Sequence, residues 1–343
     1  MKKPNVAVVG VGAVGIEMVR MLKERKFPFS SLRLFARSQR QMNIEGENYQ
    51  VEVISPQVFS NIDIALFAGT EGEKGAAVTY APAAVKAGAV VIDNGADFRL
   101  QDNVPLIVPE VNKDKIITHR GIIANPNCTT IQMVVALGEI YRRFGLKKVV
   151  LTSFQAASGA GRRAIQELRQ EALSFCQGSE EKGEFSPLMA KVDFNQEIFS
   201  RQLLFNVVPQ IGSFKEEGFT TEEIKVVRET HKIFSDESIK IAATCVRVPV
   251  FVSHSEAIYF STKTSTTIED IENALAQTAG VKFFPAAEDF PTALDAAQRE
   301  EVFAGRLRRG AEESTYWIWV VADNLLKGAA LNAVQIAEEL LKN

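Results

Sequence analysis

The residues around Cys128 give the clearest indication of a chemical function in this sequence. Cys128 follows the turn-forming residues Asn125-Pro126-Asn127 and precedes apolar residues at helical spacing from Ile131 to Phe144, so we expect it to begin a helix. Unpaired N–H groups and the helix dipole favour negative charge at that end and lower thiol pKa values. The pattern predicts a reactive thiolate; the alternative is a buried structural cysteine.

A glycine-rich stretch near the N-terminus, Gly10-Val11-Gly12-Ala13-Val14-Gly15, lies between an apolar strand pattern and a helical one. In that context G-x-G-x-x-G is typical of a dinucleotide-binding turn. The next predicted strand ends at Arg37 and Ser38, where NAD enzymes usually have an acidic residue. Arg37 can pair with a 2′-phosphate, which favours NADP. The alternatives are a turn without a ligand and a solvated arginine.

Two further residues are candidates for a site with Cys128. His254 lies between two predicted strands, and its ordinary pKa suits proton transfer at neutral pH, although an ordinary loop histidine is the alternative. Arg247 interrupts an apolar strand and needs a partner, which is either a substrate carboxylate or an internal ion pair. A thiolate beside a nicotinamide indicates aldehyde chemistry through a thioester.

Charged residues elsewhere extend this set. Arg99 follows the fifth predicted strand, near the edge where open α/β sheets bind ligands. Glu222 and Lys225 share one face of a predicted helix, either as substrate contacts or as a common solvated pair.

The elements that must position these residues change character along the chain. Strands at 5–10, 31–36, 49–54, 62–68 and 89–93 alternate with helices near 13–26 and 76–87, which predicts a parallel α/β sheet. Later strands are longer and alternate in polarity, which indicates an α+β domain with a largely antiparallel sheet. These strands are expected at 151–157, 241–252, 256–262 and 315–322, with helices near 162–177 and 221–234, a charged loop at 177–184 and an amphipathic helix at 324–341.

Composition excludes several classes of function. The net charge of −3 gives no indication of a nucleic-acid or membrane partner. Three sparse cysteines, Cys128, Cys176 and Cys245, favour a reducing compartment over a disulfide framework. No Cys/His spacing suggests a metal site, and no apolar run or signal sequence suggests a membrane or export, so we expect a cytoplasmic enzyme.

Together these motifs resemble those of aspartate-β-semialdehyde dehydrogenases of the bacterial branch, essentially from end to end. The stretches that carry the resemblance are the glycine loop at 10–15, then 125–130, 155–161, 222–225 with 229–230, 245–249 with 254–256, and 322–325 with 328–330. One departure is Val11, where many relatives have threonine, so a hydroxyl contact to the cofactor phosphate is missing while the backbone N–H groups remain.

The resemblance implies a role for each candidate. Cys128 resembles the nucleophile, His254 the acid/base residue and Gln155 the residue that orients the substrate. The implied substrate contacts are Arg247 for a carboxylate, Glu222 for an amino group, and Arg99, Lys225 and Asn127 for a phosphate. The implied contacts to the nicotinamide half of NADP are Ser158, Gly159 and Asn324.

The resemblance also implies an activity and an architecture. The activity is NADP-dependent reductive dephosphorylation of L-aspartyl-4-phosphate to L-aspartate-4-semialdehyde, a step in lysine, diaminopimelate, threonine, methionine and isoleucine biosynthesis. The implied fold is a Rossmann-like NADP-binding domain, residues 1–127, completed by a C-terminal helix, residues 324–343. Residues 128–323 are then the catalytic, substrate-binding and dimerisation domain of a homodimer.

Two alternatives remain open. N-acetyl-γ-glutamyl-phosphate reductases share the thioester chemistry, but their nucleophile usually lies between glycine and tyrosine, where this chain has Asn127 and Thr129. A catalytically silent paralogue that serves as a binding module would be expected to have lost the nucleophile or the base, yet Cys128 and His254 are both present.

Overall fold

The computed structural model describes residues 3–69, 75–179 and 196–342, with side chains through Cys176 in the helix that ends at Ser179. Two sheets organise this part of the chain. Most of the predicted charged loop at 177–184 lies outside the described residues; residues 177–179 belong to the end of that helix.

The first sheet has seven strands in the order β3-β4-β2-β1-β5-β6-β7. All neighbours are parallel except the β3–β4 hairpin, so the predicted parallel α/β sheet is confirmed. β1 lies between β2 and β5, so the strand order reverses at β1. The carboxyl end of β1 is therefore a topological switch point, where open α/β sheets bind ligands. The strands are β1 (Asn5–Val9), β2 (Ser31–Ala36), β3 (Arg40–Ile44), β4 (Glu47–Val53), β5 (Ile64–Phe67), β6 (Val90–Asp93) and β7 (Ile122–Ala124), with helices α1 (Ala13–Glu24), α2 (Ala76–Lys86) and α3 (Pro109–Asn112).

The second sheet has six strands in the order β11-β12-β13-β10-β8-β9. Three of its five pairs are antiparallel, while β8–β9 and β11–β12 are parallel. One face packs on α4 and α7 around the larger apolar core. The strands are β8 (Leu146–Gln155), β9 (Lys240–Arg247), β10 (His254–Thr262), β11 (Val281–Phe284), β12 (Val302–Arg309) and β13 (Thr315–Ala322), with helices α4 (Cys128–Phe144), α5 (Arg162–Ser179), α6 (Thr221–Phe234), α7 (Ile268–Ala276) and α8 (Ala293–Ala296).

The strands that carry site residues differ from the predicted bounds. The strand expected at 241–252 ends at Arg247, and the strand expected from 256 already begins at His254, which pairs with Ala322. His254 is therefore fixed by a sheet and does not lie in a loop. The strands β3, β7, β11 and β12 and the helices α3, α7 and α8 were not predicted.

The C-terminal segment joins both parts of the molecule. Where a single helix was expected at 324–341, a π-helical turn (Leu326–Ala330) precedes α9 (Leu331–Leu340). The buried side chains of α9, among them Val334 and Ile336, share an apolar core with β1 and α1. The π-helical turn itself lies against α4.

Candidate active site

The turn before α4 presents Cys128 as the first residue of a 17-residue helix, as predicted. Asn127 caps this helix, because its Oδ1 accepts hydrogen bonds from the backbone N–H groups of Thr129 (3.0 Å) and Thr130 (3.2 Å). The backbone N–H of Asn127 donates to Glu229 Oε2 at 2.6 Å. The turn is thus held both by its own side chain and by α6.

The surroundings of Cys128 contradict the thiolate prediction. The residue is partly exposed, yet burial of the thiol and the nearby Glu222 carboxylate raise its pKa to about 12. Arg99, Arg247 and the backbone N–H of Thr129 act in the opposite direction without prevailing. The lowered pKa expected from the helix N-terminus is wrong for the free protein, because desolvation outweighs a dipole effect of about 1 kcal/mol. The resting form is the thiol.

Three strand ends of the second sheet meet beside this helix terminus. Gln155 ends β8, Arg247 ends β9 and His254 begins β10, and Gln155 and Arg247 are register partners. All three side chains are buried. Gln155 Nε2 donates to Thr129 Oγ1 at 2.8 Å, which connects the sheet to the residue after Cys128. The structure therefore brings together the three residues that the sequence placed with the nucleophile.

His254 is oriented by the backbone. The N–H of Ala156 donates to its Nδ1 at 3.0 Å, so the neutral ring carries its proton on Nε2. Burial and the Arg247 charge hold the pKa of His254 well below its usual range, so the ring is neutral at physiological pH. A β-carbon at Gly159 would lie 3.1 Å from the ring Nε2 and 2.7 Å from Arg247 Nη1, so a side chain there would displace the Arg247 guanidinium and crowd the imidazole.

Acidic and basic side chains alternate across the remainder of the site. Asn127 Nδ2 donates to Glu222 Oε1 at 2.9 Å, and Lys225 Nζ lies 4.0 Å from Glu222 Oε2. Arg99 Nη1 donates to Glu229 Oε1 at 3.0 Å, within a pair that is almost fully buried. Burial raises the pKa of Glu229 in spite of this pairing.

Glu229 was given no role from the sequence. The signal was available, because Glu222 and Glu229 are seven residues apart and hence share one face of α6. It connects Arg99 to the Asn127 backbone and therefore fixes two proposed phosphate contacts relative to each other.

Glu256 is a second buried acid that sequence reasoning missed. It lies two residues after His254 on the same face of β10, and its register partner is Ser153, whose own partner is Cys245. The side chain is fully buried, and burial raises its pKa well above the usual range, with the Gln132 side chain acting in the other direction. A buried carboxyl whose neutral form is favoured by burial therefore lies two residues from His254 on the same face of β10.

The glycine turn has the geometry that a dinucleotide requires. Gly10 has φ of +91°, and a β-carbon at Gly15 would lie 1.9 Å from the Gly10 carbonyl oxygen. Gly12 is the N-cap of α1, and a β-carbon there would meet no atom of the described residues within 4 Å. The N-terminus of α1 is therefore open on the side of the Gly12 β-carbon position, and a helix N-terminus favours the binding of a phosphate.

The other predicted cofactor contacts fall into three places. Arg37 and Ser38 are exposed just beyond β2. The Val11 side chain is buried in the apolar core around β1 and α1, and Ala13 and Val14 are the first two residues of α1. Ser158 follows β8 and donates from its hydroxyl to Asn324 Oδ1 at 2.8 Å, which joins two of the predicted nicotinamide contacts.

Within the described residues, no group of three or more His, Cys, Asp and Glu side chains could hold a metal ion. In the same part of the chain, no helix combines the length and apolar character needed to cross a membrane.

Comparison with known proteins defines the class. Residues 5–119 match the family described as semialdehyde dehydrogenase, NAD binding domain, and residues 137–327 match semialdehyde dehydrogenase, dimerisation domain. The chain is thus an oxidoreductase of the semialdehyde dehydrogenase class, with a nicotinamide dinucleotide-binding domain and a dimerisation domain.

Similar proteins narrow the class further. The aspartate-semialdehyde dehydrogenases of Bacillus subtilis and Aquifex aeolicus are 42% and 43% identical, and each match covers 98% of this chain and 97% and 98% of the relative. The crystal structure of aspartate semialdehyde dehydrogenase II from Vibrio cholerae superposes with a TM-score of 0.92 at 42% identity, covering 100% of this chain and 99% of that one. A second structure of that protein is complexed with ASA. The chain belongs to the aspartate-semialdehyde dehydrogenase family.

Proposed function

We propose that this chain catalyses the reductive dephosphorylation of L-aspartyl-4-phosphate to L-aspartate-4-semialdehyde with NADPH, and the reverse phosphorylating oxidation. The step serves the biosynthesis of lysine, diaminopimelate, threonine, methionine and isoleucine. The observation that carries the proposal is the meeting of Gln155, Arg247 and His254 with the Cys128 helix terminus, in a member of this family.

The substrate is held at both ends by opposite charges. Arg247 uses one N–H on the Ala156 carbonyl at 2.7 Å, which leaves further guanidinium donors for the α-carboxylate. The Glu222 carboxylate receives the ammonium group. Arg99 and Lys225, with Asn127, receive the phosphate, and Glu229 keeps Arg99 in place. Binding a small molecule at two separated points fixes its acyl carbon, which is a large part of such rate enhancements.

Cys128 is the nucleophile. Its sulfur bonds to the acyl carbon and the carbon–oxygen bond to phosphate breaks. Because a pKa of about 12 keeps the thiol protonated beforehand, its proton passes to the departing phosphate, which leaves as hydrogen phosphate. Gln155 orients the acyl group near the sulfur. His254 donates a hydrogen bond from Nε2–H to the substrate oxygen that gains negative charge. The contact stabilises that charge, and the neutral ring keeps its proton. When bound, the nicotinamide supplies the hydride that reduces the thioester.

NADP is the proposed cofactor. The exposed Arg37 and Ser38 follow β2, where a ribose 2′-phosphate is recognised in this type of fold, and the residues 35–40 contain no carboxylate to repel it. Ser158, Gly159 and Asn324 receive the nicotinamide end, and Gly10 to Gly15 receive the pyrophosphate. Arg37→Ala is expected to raise the KM for NADP⁺ while leaving the KM for NAD⁺ unchanged.

A homodimer is proposed on the face of the second sheet opposite α4. Val150, Tyr259 and Trp317 form one row across β8, β10 and β13 on that face, which we name the outer row. Val150 is 38% exposed, and Tyr259 and Trp317 are partly exposed. Apolar aromatic surface of this kind is typical of subunit interfaces.

The proposed domain division assigns residues 1–127 and 324–343 to cofactor binding and residues 128–323 to catalysis and dimerisation. The three sparse cysteines, Cys128, Cys176 and Cys245, support a reducing cytoplasmic location.

A single assay tests the proposed activity. Purified protein is mixed with L-aspartate-4-semialdehyde, NADP⁺ and inorganic phosphate, and NADPH is followed by absorbance. Phosphate-dependent reduction is expected with the wild type and not with Cys128→Ala, which should still bind NADP⁺. Reduction only with N-acetylglutamate semialdehyde would assign the chain to the related reductase. Absence of reduction with either semialdehyde, together with a Cys128 thiol that substrate does not protect from alkylation, would indicate a silent paralogue.

A further inference from the structure

The residue before His254 has a backbone conformation that serine rarely adopts. Ser253 has φ of +76°, in the left-handed region, and is 1% exposed. Such conformations are unfavourable for residues other than glycine and persist only where the surrounding structure holds them. The Ser253 hydroxyl does not supply that support, because its Oγ is buried without a hydrogen-bond partner among the described residues.

The support comes from the side chain of Asn324, two residues after β13. Asn324 Oδ1 accepts a hydrogen bond from the backbone N–H of Ser253 at 3.0 Å and another from Ser158 Oγ at 2.8 Å. A backbone N–H can only donate, so the amide oxygen, and not the amide nitrogen, faces Ser253. One buried oxygen therefore joins the turn after β8, the residue before β10 and the segment after β13.

The same turn also holds the His254 ring. The N–H that donates to Nδ1 belongs to Ala156, and Gly159 borders the ring on the other side. Both contacts come from the segment that Ser158 anchors to Asn324. A rotation of the Ser253 backbone out of the left-handed region would therefore move the imidazole relative to Ala156 and Gly159.

We propose that Asn324 is a positioning residue for His254. Its side-chain oxygen holds Ser253 in the left-handed conformation and so keeps the imidazole between Ala156 and Gly159, with the proton on Nε2. The inference rests on the role proposed above for His254. It gives Asn324 a function in the free protein, in addition to its proposed contact with the nicotinamide.

The test is a double-mutant cycle on the full-length protein without ligand. The protein is labelled with ¹⁵N-histidine, and the ring signals of each variant are measured by NMR. The chain has three histidines, so the His254 ring signals are assigned with His254→Gln. Asn324→Ala is expected to shift these signals and to lower kcat by about 100-fold. Adding Ser253→Gly should return the signals and recover at least about tenfold in kcat, because glycine adopts positive φ without support.

Three controls separate positioning from cofactor binding. Ser253→Gly alone should leave the His254 signals and kcat as in the wild type. Asn324→Asp keeps an acceptor oxygen and should keep the signals, whereas Asn324→Leu, of similar size, should shift them; this pair decides the matter if Asn324→Ala does not fold. The proposal is overturned if the double variant is no better than Asn324→Ala, or if only the Kd for NADP⁺ changes. The NMR result needs no turnover, so it is independent of whether the proposed activity is found.

Discussion

Gly328 lies directly against Cys128: a β-carbon built at Gly328 would be 2.9 Å from Cys128 Cβ and 3.4 Å from its Cα. Gly328 belongs to the π-helical turn Leu326–Ala330, and π turns are frequent at functional sites. The start of α4 is therefore bounded by the C-terminal segment as well as by the Asn127 cap.

Gly328→Ala is expected to displace Cys128, because a contact of 2.9 Å between two carbons forces one of them to move. We expect kcat to fall by about 100-fold, with the overall fold retained. Initial rates and thermal unfolding measure the two effects. The matched control is Gly138→Ala in α4, where the nearest atom to a new β-carbon is Val111 Cγ2 at 3.3 Å. Equal losses in both variants would show that the Gly328 contact is not special.

The pKa of Cys128 predicts slow alkylation that accelerates with pH. Since the pKa is about 12, the rate for iodoacetamide should rise about tenfold per pH unit from 7 to 10 without a plateau. Burial is the larger cause of the raised pKa and the Glu222 charge the second, so Glu222→Gln should lower the pKa in part and Cys128 should react faster at each pH. Peptide mass spectrometry separates Cys128 from the exposed Cys176, and Glu269→Gln removes an exposed charge as a control. A wild-type plateau near pH 7 would contradict the raised pKa.

Arg247→Ala is expected to weaken substrate binding through loss of a charge-assisted pair. We expect the KM for L-aspartate-4-semialdehyde to rise about 30-fold, equivalent to about 2 kcal/mol, with the Kd for NADP⁺ unchanged. Arg247→Lys keeps the charge without the planar fork and should give an intermediate value. Steady-state kinetics and titration calorimetry provide the two constants. Unchanged kinetics in Arg247→Ala would remove the residue from the site.

The raised pKa of Glu256 leads us to expect that this residue makes the folded protein less stable as the pH rises. Its pKa is raised well above the ordinary value near 4.3 of an unfolded chain, so between these two pKa values the folded protein binds more protons. Stability from this group is complete below the unfolded pKa and is lost as pH rises toward the folded pKa. Glu256→Gln mimics the neutral acid, so its free energy of unfolding should match the wild type at pH 4.5 and exceed it by at least about 1 kcal/mol at pH 8. Urea titrations at both pH values measure the free energy of unfolding of each protein. The same difference between the two proteins at both pH values would contradict a raised pKa of Glu256.

If the outer row forms the dimer interface, a charge placed in it should separate the subunits. Val150→Asp places a charge among Tyr259 and Trp317, and desolvating it would cost several kcal/mol in an interface. We expect a dimer for the wild type and a monomer for Val150→Asp by light scattering after gel filtration. Val53→Asp, at a position in the first sheet that is 51% exposed, should remain dimeric. A monomeric wild type, or a dimeric Val150→Asp, would place the interface elsewhere.

Sequence reasoning succeeded where a local pattern determines the structure. The alternation of apolar strands and helices predicted the parallel sheet, and the Asn127 turn before Ile131 predicted the start of α4. It missed β3 and β12 because Arg40–Ile44 is a short polar hairpin strand and the end of β12 carries exposed arginines, so neither has a continuous apolar pattern.

The pKa values of the site residues could not be predicted from the neighbouring residues in the sequence. The pKa of Cys128 depends on burial and on Glu222, which is far away in sequence. Glu256 was within reach, because residues two apart on a strand share a face, and an inward His254 implies an inward Glu256. The Ser253 conformation had no sequence signal, since serine does not indicate positive φ.

The C-terminal segment has a consequence for synthesis. Lys327 donates to Glu110 at 2.7 Å, Gly328 covers Cys128, and α9 completes the core around β1. A ribosome that has translated 300 residues has already produced the nucleophile and the glycine turn, yet none of these closing contacts exists. We therefore expect fragments that stop before residue 324 to be inactive, because they carry the sulfhydryl without the segment that encloses it.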